Sequence, residues 1–319
     1  NRAYDVSQPA GQLTPAWAER LGLPAGIPVA VGAFDAHLGA IGAGIEPGVL
    51  VKIIGTSTCD IMVAPADTPL ADIPGLCGIV RDSVLPGYYG LEAGQSAVGD
   101  IFNWFVQTLR PQGHDHASLT EAAARLRPGE SGLLALDWHN GNRTVLVDQR
   151  LTGLLVGLTL RSSPAEIYRA LMEATAFGAR VIMERFEAYG VPVKRVLACG
   201  GIPPKNPLLM QIYADVMGRR IELARSELTC ALGAAISGAV VAGSQKGGYD
   251  RFDEAIRAMT GVRPEAYEPI PAHRQLYDEL FALYKNLHDA FGVSGTQMDL
   301  YPVMKRLLEI RDNVWHSRS

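Results

Sequence analysis

The sequence lacks the marks of several large classes of protein. Its 319 residues carry a formal net charge of −4 at pH 7, and Lys and Arg never form a run longer than a pair. Nucleic-acid binders usually present a basic face, so we expect no nucleic-acid partner. Hydrophobic residues make up 48% of the chain, which excludes a disordered protein because disordered chains have low hydrophobicity.

Cysteines and long apolar runs are also scarce. The four cysteines, Cys59, Cys77, Cys199 and Cys230, lie far apart with no C-x-x-C pair, unlike the cysteines of metal sites and disulfide frameworks. The most apolar stretch, residues 230–243, is too short to span a bilayer, and the start of the chain has no signal-peptide pattern. We therefore expect a reduced, cytoplasmic protein with no membrane partner.

Apolar runs and turn residues alternate along the chain in the manner of an α/β protein. The best-marked helix has Ser163 as its N-cap, Pro164 at its first position and Glu166 completing a capping box. Strands are predicted at 27–31, 49–54, 60–63, 88–91, 195–199 and 221–223. Helices are predicted at 15–21, 36–42, 97–109, 164–189, 207–217, 229–242 and 272–291. This order predicts one sheet with helices on both faces.

Asp35 stands between an apolar strand and a helix of small residues. One interpretation is an N-cap, a position that Asp favours because its side chain accepts hydrogen bonds from the first free amides. The other is a general base at the end of a strand, where open α/β sheets place their ligands. Spacing alone leaves both interpretations open.

Two glycine-containing turns follow predicted strands. The segment 55–58, Gly-Thr-Ser-Thr, separates the strands of a predicted hairpin, and amides and hydroxyls at such a turn are able to bind phosphate oxygens. Gly200 and Gly201 come between a strand and a helix, where the backbone and the helix N-terminus favour a nucleotide. Neither turn has the G-x-G-x-x-G pattern of dinucleotide binders, and each is equally consistent with an ordinary turn.

Three further segments are rich in polar residues. Segment 94–98 departs from the G-x-S-x-G nucleophile motif because valine occupies the last glycine position. His114 and His116 have no third ligand nearby in sequence, which favours a solvent-exposed loop over a metal site. Segment 137–143, Asp-Trp-His-Asn-Gly-Asn-Arg, is either a turn packed on its tryptophan or part of a binding surface.

Several longer motifs occur in a characteristic order along the chain. They are G-A-F-D ending at Asp35, I-G-T-S-T-C-D starting at Ile54, G-L-E-A-G-Q-S around Glu92, and A-C-G-G-I-P-P-K-N-P starting at Ala198. Over nearly the whole chain, this order resembles the carboxyl-terminal half of the FGGY carbohydrate kinases. The motifs are most similar to those of family members that act on L-ribulose.

The resemblance implies a fold and a domain organisation. The fold is an α/β, actin-like or ribonuclease H-like domain with a mixed sheet and helices on both faces. Residues 1–30 are expected to be the end of an amino-terminal kinase domain with a linker, and residues 31–319 the carboxyl-terminal domain. The D-x-G-T phosphate loop that opens these kinases does not occur in the sequence. The missing amino-terminal domain of the same protein is therefore an expected partner, and a homodimer is a further arrangement to consider.

The resemblance also implies roles for individual residues. Asp35 matches the catalytic base, and Asp35 and Glu92 match residues that contact the sugar. ATP and Mg²⁺ are the implied cofactors, with no metal ligands assigned. The implied nucleotide-binding residues are Gly55, Thr56, Ser57, Gly99, Asn103, Gly200, Gly201 and Asn206.

The activity implied is ATP-dependent phosphorylation of a ketopentose, with L-ribulose converted to L-ribulose 5-phosphate in arabinose catabolism. One alternative is an FGGY kinase for xylulose or another polyol. A second is a non-catalytic, actin-like nucleotide-binding module. Asp35 favours an enzyme because a non-catalytic relative has no need of a carboxylate at that position.

Overall fold

Helices and strands alternate along the chain, of which a computed structural model describes residues 4–317. In that range no helix is both long enough and apolar enough to cross a bilayer. The strands are β1 (Pro9–Gln12), β2 (Pro28–Ala30), β3 (Val49–Ile54), β4 (Thr58–Pro65), β5 (Gly78–Arg81), β6 (Tyr88–Ala93), β7 (Leu134–Leu136), β8 (Leu154–Val156), β9 (Arg195–Cys199), β10 (Ile221–Ala224) and β11 (Val262–Tyr267). The helices are α1 (Pro15–Leu21), α2 (Asp35–Ala43), α3 (Gly99–Asn103), α4 (His116–Ala124), α5 (Pro164–Ala188), α6 (Pro207–Met217), α7 (Thr229–Ala242), α8 (Phe252–Met259), α9 (Pro271–Gly292) and α10 (Val303–His316).

A seven-stranded mixed sheet forms the centre of the fold, in the order β11-β10-β9-β3-β4-β6-β5. On one side of β3, the strands β4, β6 and β5 pair in antiparallel fashion. On its other side, β9 runs parallel to β3 and β10 runs parallel to β9. β1 and β2 form a separate antiparallel pair, as do β7 and β8.

Helices cover both faces of the sheet, and the side chains of β3 alternate between the two cores that result. Leu50 and Ile54 belong to the larger core, with buried residues of α3, α5, α6 and α9. Val49 and Val51 belong to the smaller core, with buried residues of α2, α7 and α8. Successive side chains of a strand point to opposite faces, so one apolar run serves both layers. The predicted α/β class, mixed sheet and two helical layers are confirmed.

The predicted elements differ from the observed ones in a few places. The helix predicted at 97–109 is two elements, α3 and a π-helical turn, Trp104–Leu109. The exposed polar loop predicted around His114 and His116 is observed at His114 but not at His116, because Asp115 forms a capping box with Ser118 and starts α4. His116 is the first residue of that helix, and its Nδ1 lies 3.0 Å from the Tyr168 hydroxyl. The sequence analysis did not predict β1, β5, β7, β8, β11, α4, α8 or α10.

Helices α2 and α7 cross at very short distance, and glycines make the crossing possible. A Cβ atom on Gly42 would overlap the carbonyl oxygen of Thr229, and one on Gly233 would overlap the carbonyl oxygen of Leu38. Backbone therefore packs directly on backbone at this contact. The crossing fixes how α2, which begins with Asp35, lies over the sheet.

We predict that Gly233→Ala lowers the free energy of unfolding by about 1–3 kcal/mol, the usual cost of an overpacked contact. Gly238→Ala is the matched control, because residue 238 lies in the same helix and has open space around its Cβ position. It should be neutral or stabilise by up to about 1 kcal/mol, since Ala favours helix more than Gly. Urea unfolding of both variants tests this, and equal effects would contradict the close crossing.

Candidate active site

The candidate site lies where β3 and β9 both end. The two strands are parallel, with Ile53 opposite Cys199, so the turn after Ile54 lies beside the glycines after Cys199. We call this region the loop end of the sheet. Gly200 has a φ of 99°, and a Cβ at this position would lie 2.5 Å from the Ile54 carbonyl oxygen. Only glycine suits both the left-handed backbone and the close approach.

The turn between β3 and β4 holds the start of α3 through its carbonyl groups. Thr56 O accepts hydrogen bonds from Val98 N (2.8 Å) and Asp100 N (3.2 Å), and Gly55 O accepts one from Gly99 N (3.1 Å). A Cβ on Gly99 would lie 2.7 Å from Gly55 O. The structure thus brings Gly55, Thr56 and Gly99 together. The Gly99 N–H is already used by the turn, and its contact with a nucleotide remains a prediction.

The outer side of this turn offers hydrogen-bond donors. Within residues 4–317, the N–H groups and hydroxyls of Thr56 and Ser57 have no hydrogen-bond partner. Thr56 is exposed and Ser57 is partly exposed. Gly201 is also exposed, with open space around its Cβ position. Adjacent free amides and hydroxyls are the groups that bind phosphate oxygens in anion-binding turns.

A buried ion pair braces the hairpin just below the turn. Lys52 of β3 faces Asp60 of β4 in register, and Lys52 Nζ lies 2.8 Å from each carboxylate oxygen. Both residues are fully buried. The Tyr213 ring lies beneath the ammonium group, with its centroid 5.7 Å from Nζ. Neither charge is in contact with solvent, so each charge is stabilised by the other.

Asp35 is the first residue of α2 and is exposed. The N-cap position belongs to Phe34, whose side chain cannot cap, so the N-cap interpretation of Asp35 is wrong. Its Oδ1 accepts a hydrogen bond from Ala36 N at 2.8 Å, and the positive end of the helix dipole favours its negative charge. One turn further on, Gly39 lies against Ile53 of β3. Asp35 therefore stands at the loop end with its carboxylate accessible.

Glu92 lies near the end of β6 and contacts the same helix. Its Oε2 is 3.3 Å from Nε2 of His37, a buried residue in the first turn of α2. This hydrogen bond holds the pKa of Glu92 below its usual value, with help from the charge of Arg143 and against the effect of partial burial. The Glu92 side chain keeps 33% of its surface exposed. It is thus an accessible carboxylate that stays ionised at neutral pH.

The two predicted asparagines belong to α3 and α6, which follow the loop end in sequence. Asn103 is the exposed last residue of α3, one turn after Gly99. Asn206 is the N-cap of α6, and its Oδ1 accepts a hydrogen bond from Leu209 N at 3.0 Å. Nothing in the structure tests their contact with a nucleotide, so it remains a prediction.

Segment 137–143 fits the first of the two interpretations left open by the sequence, a turn packed on its tryptophan. Trp138 is buried, and the Asp137 carboxylate accepts hydrogen bonds from Gln95 Nε2 (2.8 Å) and the Tyr284 hydroxyl (2.9 Å). Burial raises the pKa of Asp137. At the other end of the segment, Arg143 Nη2 donates to the Thr58 carbonyl oxygen at 2.6 Å. The segment is therefore a packed turn, and its guanidinium group at Arg143 contacts the first residue of β4, next to the turn of the candidate site.

The sequence analysis missed four side chains that shape the site. Lys52 and Asp60 interrupt two apolar strands, and charges within such runs are a signal of a buried pair. His37 lies two residues after Asp35 in a helix of small residues, and this proximity was the available signal. Arg143 ends the polar segment noted in the sequence analysis, but its contact with Thr58 was not predictable because it spans 85 residues of sequence.

Comparison with known proteins places the chain among sugar kinases. A model of the FGGY family of carbohydrate kinases, C-terminal domain, matches residues 50–242. The ribulokinase of Halalkalibacterium halodurans is 49% identical over 317 residues, covering 96% of this chain and 55% of the relative. The ribulokinase of Anoxybacillus flavithermus is 50% identical over 309 residues, covering 93% of this chain and 53% of the relative. The solved xylulose kinase from Rhodospirillum rubrum has a TM-score of 0.76 and 30% identity, covering 91% of this chain and 57% of that chain.

The fold and the loop end define the class of domain: an actin-like, ribonuclease H-like α/β domain with glycine turns at one end of a mixed sheet. The chain belongs to the FGGY family of carbohydrate kinases. The resemblance inferred from the motifs is therefore confirmed. The chain spans about half the length of the curated relatives it matches.

We predict that Lys52→Met lowers the free energy of unfolding by about 3–5 kcal/mol, because it leaves the buried Asp60 carboxylate without a counter-charge. The double variant Lys52→Met/Asp60→Leu removes both charges and should recover most of that loss. Denaturant unfolding of the two variants tests whether the unpaired Asp60 charge causes the loss of stability. If the double variant is as unstable as the single one, packing volume rather than charge braces the hairpin.

Proposed function

We propose that the intact protein is an ATP-dependent ketopentose kinase that converts L-ribulose to L-ribulose 5-phosphate in arabinose catabolism. The observation that carries this proposal is the match to curated ribulokinases, which extends over at least 93% of the chain at 49–50% identity in the two relatives above. In this proposal residues 31–319 form the carboxyl-terminal domain, and residues 1–30 are the end of an amino-terminal domain with a linker. The free thiols of all four cysteines support a cytoplasmic location.

Asp35 is the catalytic base in this proposal. Its carboxylate takes the proton of the attacking sugar hydroxyl while that oxygen bonds to the γ-phosphorus and the bond to ADP breaks. The exposed position of Asp35 at the loop end supports the role, because phosphoryl transfer depends chiefly on positioned groups and charge stabilisation. Glu92 binds sugar hydroxyls through its exposed carboxylate.

The nucleotide lies along the loop end in this proposal. The free amides and hydroxyls of Thr56 and Ser57 donate to phosphate oxygens, and the glycine at 55 lets the phosphates approach. The open space beside Gly201 supports an adenosine site. It is completed by the remaining predicted residues, Gly99, Asn103, Gly200 and Asn206.

Mg²⁺ is proposed to enter with ATP. Within residues 4–317, no group of three or more His, Cys, Asp or Glu side chains is arranged to hold a metal ion. Mg²⁺ in kinases is commonly bound by substrate phosphates, waters and one or two carboxylates. This chain would therefore contribute at most part of the coordination sphere, while the ion neutralises phosphate charge.

An amino-terminal domain of the same protein is the proposed macromolecular partner, with a second copy of the chain as a further one. Large apolar side chains are exposed near the start of the described chain, among them Trp17, Leu21 and Phe34. Exposed apolar side chains mark a contact surface where they form a continuous patch, and we propose that these residues contact the amino-terminal domain. The length of the curated relatives supports a further domain.

A second candidate substrate is xylulose, favoured by the structural match to the Rhodospirillum rubrum xylulose kinase. A non-catalytic nucleotide-binding module is less well supported, because Asp35 presents an exposed carboxylate at the loop end. A coupled ADP-release assay of the intact protein against L-ribulose, D-ribulose, xylulose and glycerol separates these cases. The highest kcat/KM with L-ribulose is expected, and the absence of sugar-dependent ADP release would contradict the kinase proposal.

We predict that Asp35→Asn in the intact enzyme lowers kcat by about 10²–10⁴-fold, the usual effect of removing a positioned base. ATP binding measured by calorimetry should stay nearly unchanged. Asp253→Asn is the matched control, because Asp253 is also an acidic residue in the first turn of a helix. A variant at Asp35 that keeps more than about a third of wild-type turnover is incompatible with the role of base.

We predict that Glu92→Gln raises the KM for the sugar by about tenfold, because hydrogen bonds to a carboxylate are stronger than those to a neutral amide. The KM for ATP should stay within about twofold of wild type. Glu46→Gln, an exposed residue paired with Arg195, serves as a control. A rise in the KM for ATP at constant sugar KM would show that Glu92 belongs to the nucleotide side of the site.

A further inference from the structure

His37 joins the helix of the proposed base to the strand of the proposed sugar carboxylate. It belongs to the first turn of α2, two residues after Asp35, and its Nε2 contacts Glu92 of β6 across 55 residues of sequence. The His37 side chain is 8% exposed, whereas that of Glu92 is 33% exposed. A buried imidazole therefore supports a carboxylate that solvent and ligands are able to reach.

The chemistry of the pair fixes which group donates. An ionised carboxylate only accepts hydrogen bonds, so His37 Nε2 carries the proton and donates it to Glu92 Oε2. Within residues 4–317, Glu92 is the one hydrogen-bond partner of the His37 side chain. The Phe34 ring meets the imidazole edge to face, with 5.4 Å between the ring centroids. The imidazole is thus held by packing, and Glu92 is held by the imidazole.

The arrangement leaves the other carboxylate oxygen of Glu92 for a ligand. A free glutamate side chain loses rotamer freedom when it binds, and a side chain that is already ordered avoids much of this loss. The same helix turn carries Asp35, so the contact also fixes where Glu92 stands relative to Asp35. Two groups that bind one small substrate must keep a set separation.

We infer that His37 is a positioning residue for the sugar, which fixes Glu92 through the hydrogen bond from Nε2 to Oε2 and ties it to the helix of Asp35. The inference rests on the proposed function. It adds a residue to which the motif resemblance gave no role, and it concerns affinity for the sugar rather than chemistry on the phosphate.

The test compares two substitutions in the intact enzyme, with the best ketopentose of the assay above as substrate. His37→Leu keeps much of the side-chain volume but has no donor, and His37→Gln places an amide N–H near the position of Nε2. His37→Leu should raise the KM for the sugar about tenfold, with the KM for ATP within about twofold. His37→Gln should restore the sugar KM to within about threefold of wild type.

The matched control is His273→Leu, because His273 Nδ1 also pairs with a carboxylate, Asp215 Oδ2, at 2.9 Å. It should alter thermal stability and leave the sugar KM unchanged. An unchanged sugar KM in His37→Leu, an equal rise in the KM for ATP, or a failure of His37→Gln to restore sugar affinity would each overturn the inference. If the wild-type enzyme phosphorylates no sugar, the proposed function fails and the inference falls with it, which is a different result from turnover with unaffected variants.

Discussion

The candidate site depends on one constraint: backbone packs directly on backbone at the loop end of the sheet. The carbonyls of Gly55 and Thr56 are occupied by the first amides of α3, and Gly200 lies against the carbonyl of Ile54. Three segments that are distant in sequence therefore meet at one turn, where Gly99 and Gly200 each lie against a backbone carbonyl group. This contact leaves the outward amides and hydroxyls of Thr56 and Ser57 as the polar surface of the turn. A turn held from behind by its carbonyls presents its donors without reorganising, as an anion site requires.

Behind that turn, buried polar side chains hold the hairpin in place. The Lys52–Asp60 pair links β3 to β4. The backbone N–H of Gln95 donates to the Thr58 hydroxyl, and its side-chain Nε2 donates to the Asp137 carboxylate. Buried polar groups are costly unless they are paired, so each contact specifies one register and one orientation. An all-apolar interior would tolerate small shifts of the hairpin, whereas these pairs do not. The buried side chains beneath the loop end therefore fix the position of its turn.

A different contact positions the second half of the site, which consists of Asp35, His37 and Glu92. Glycines at the crossing of α2 and α7 bring the helix backbones into contact and set where α2 begins. His37 then ties Glu92 to the helix that begins with Asp35, and β6, which carries Glu92, pairs with β4 of the hairpin. The proposed sugar and phosphate sites are therefore joined through one sheet.

The sequence by itself determined several of the local elements and the family. Helix α5 begins at the predicted Ser163-Pro164-Glu166 cap, and β9, α6 and α7 have the predicted bounds, because caps, glycines and apolar periodicity act over a few residues. The motifs around Asp35 and Glu92 likewise gave the family, although the roles of individual residues remain predictions. Only the tertiary structure decided that Lys52 faces Asp60, that His37 contacts Glu92 and that Arg143 reaches Thr58. Such contacts depend on strand register and helix crossing, which arise from the packing of the whole chain and leave no periodic trace in the sequence.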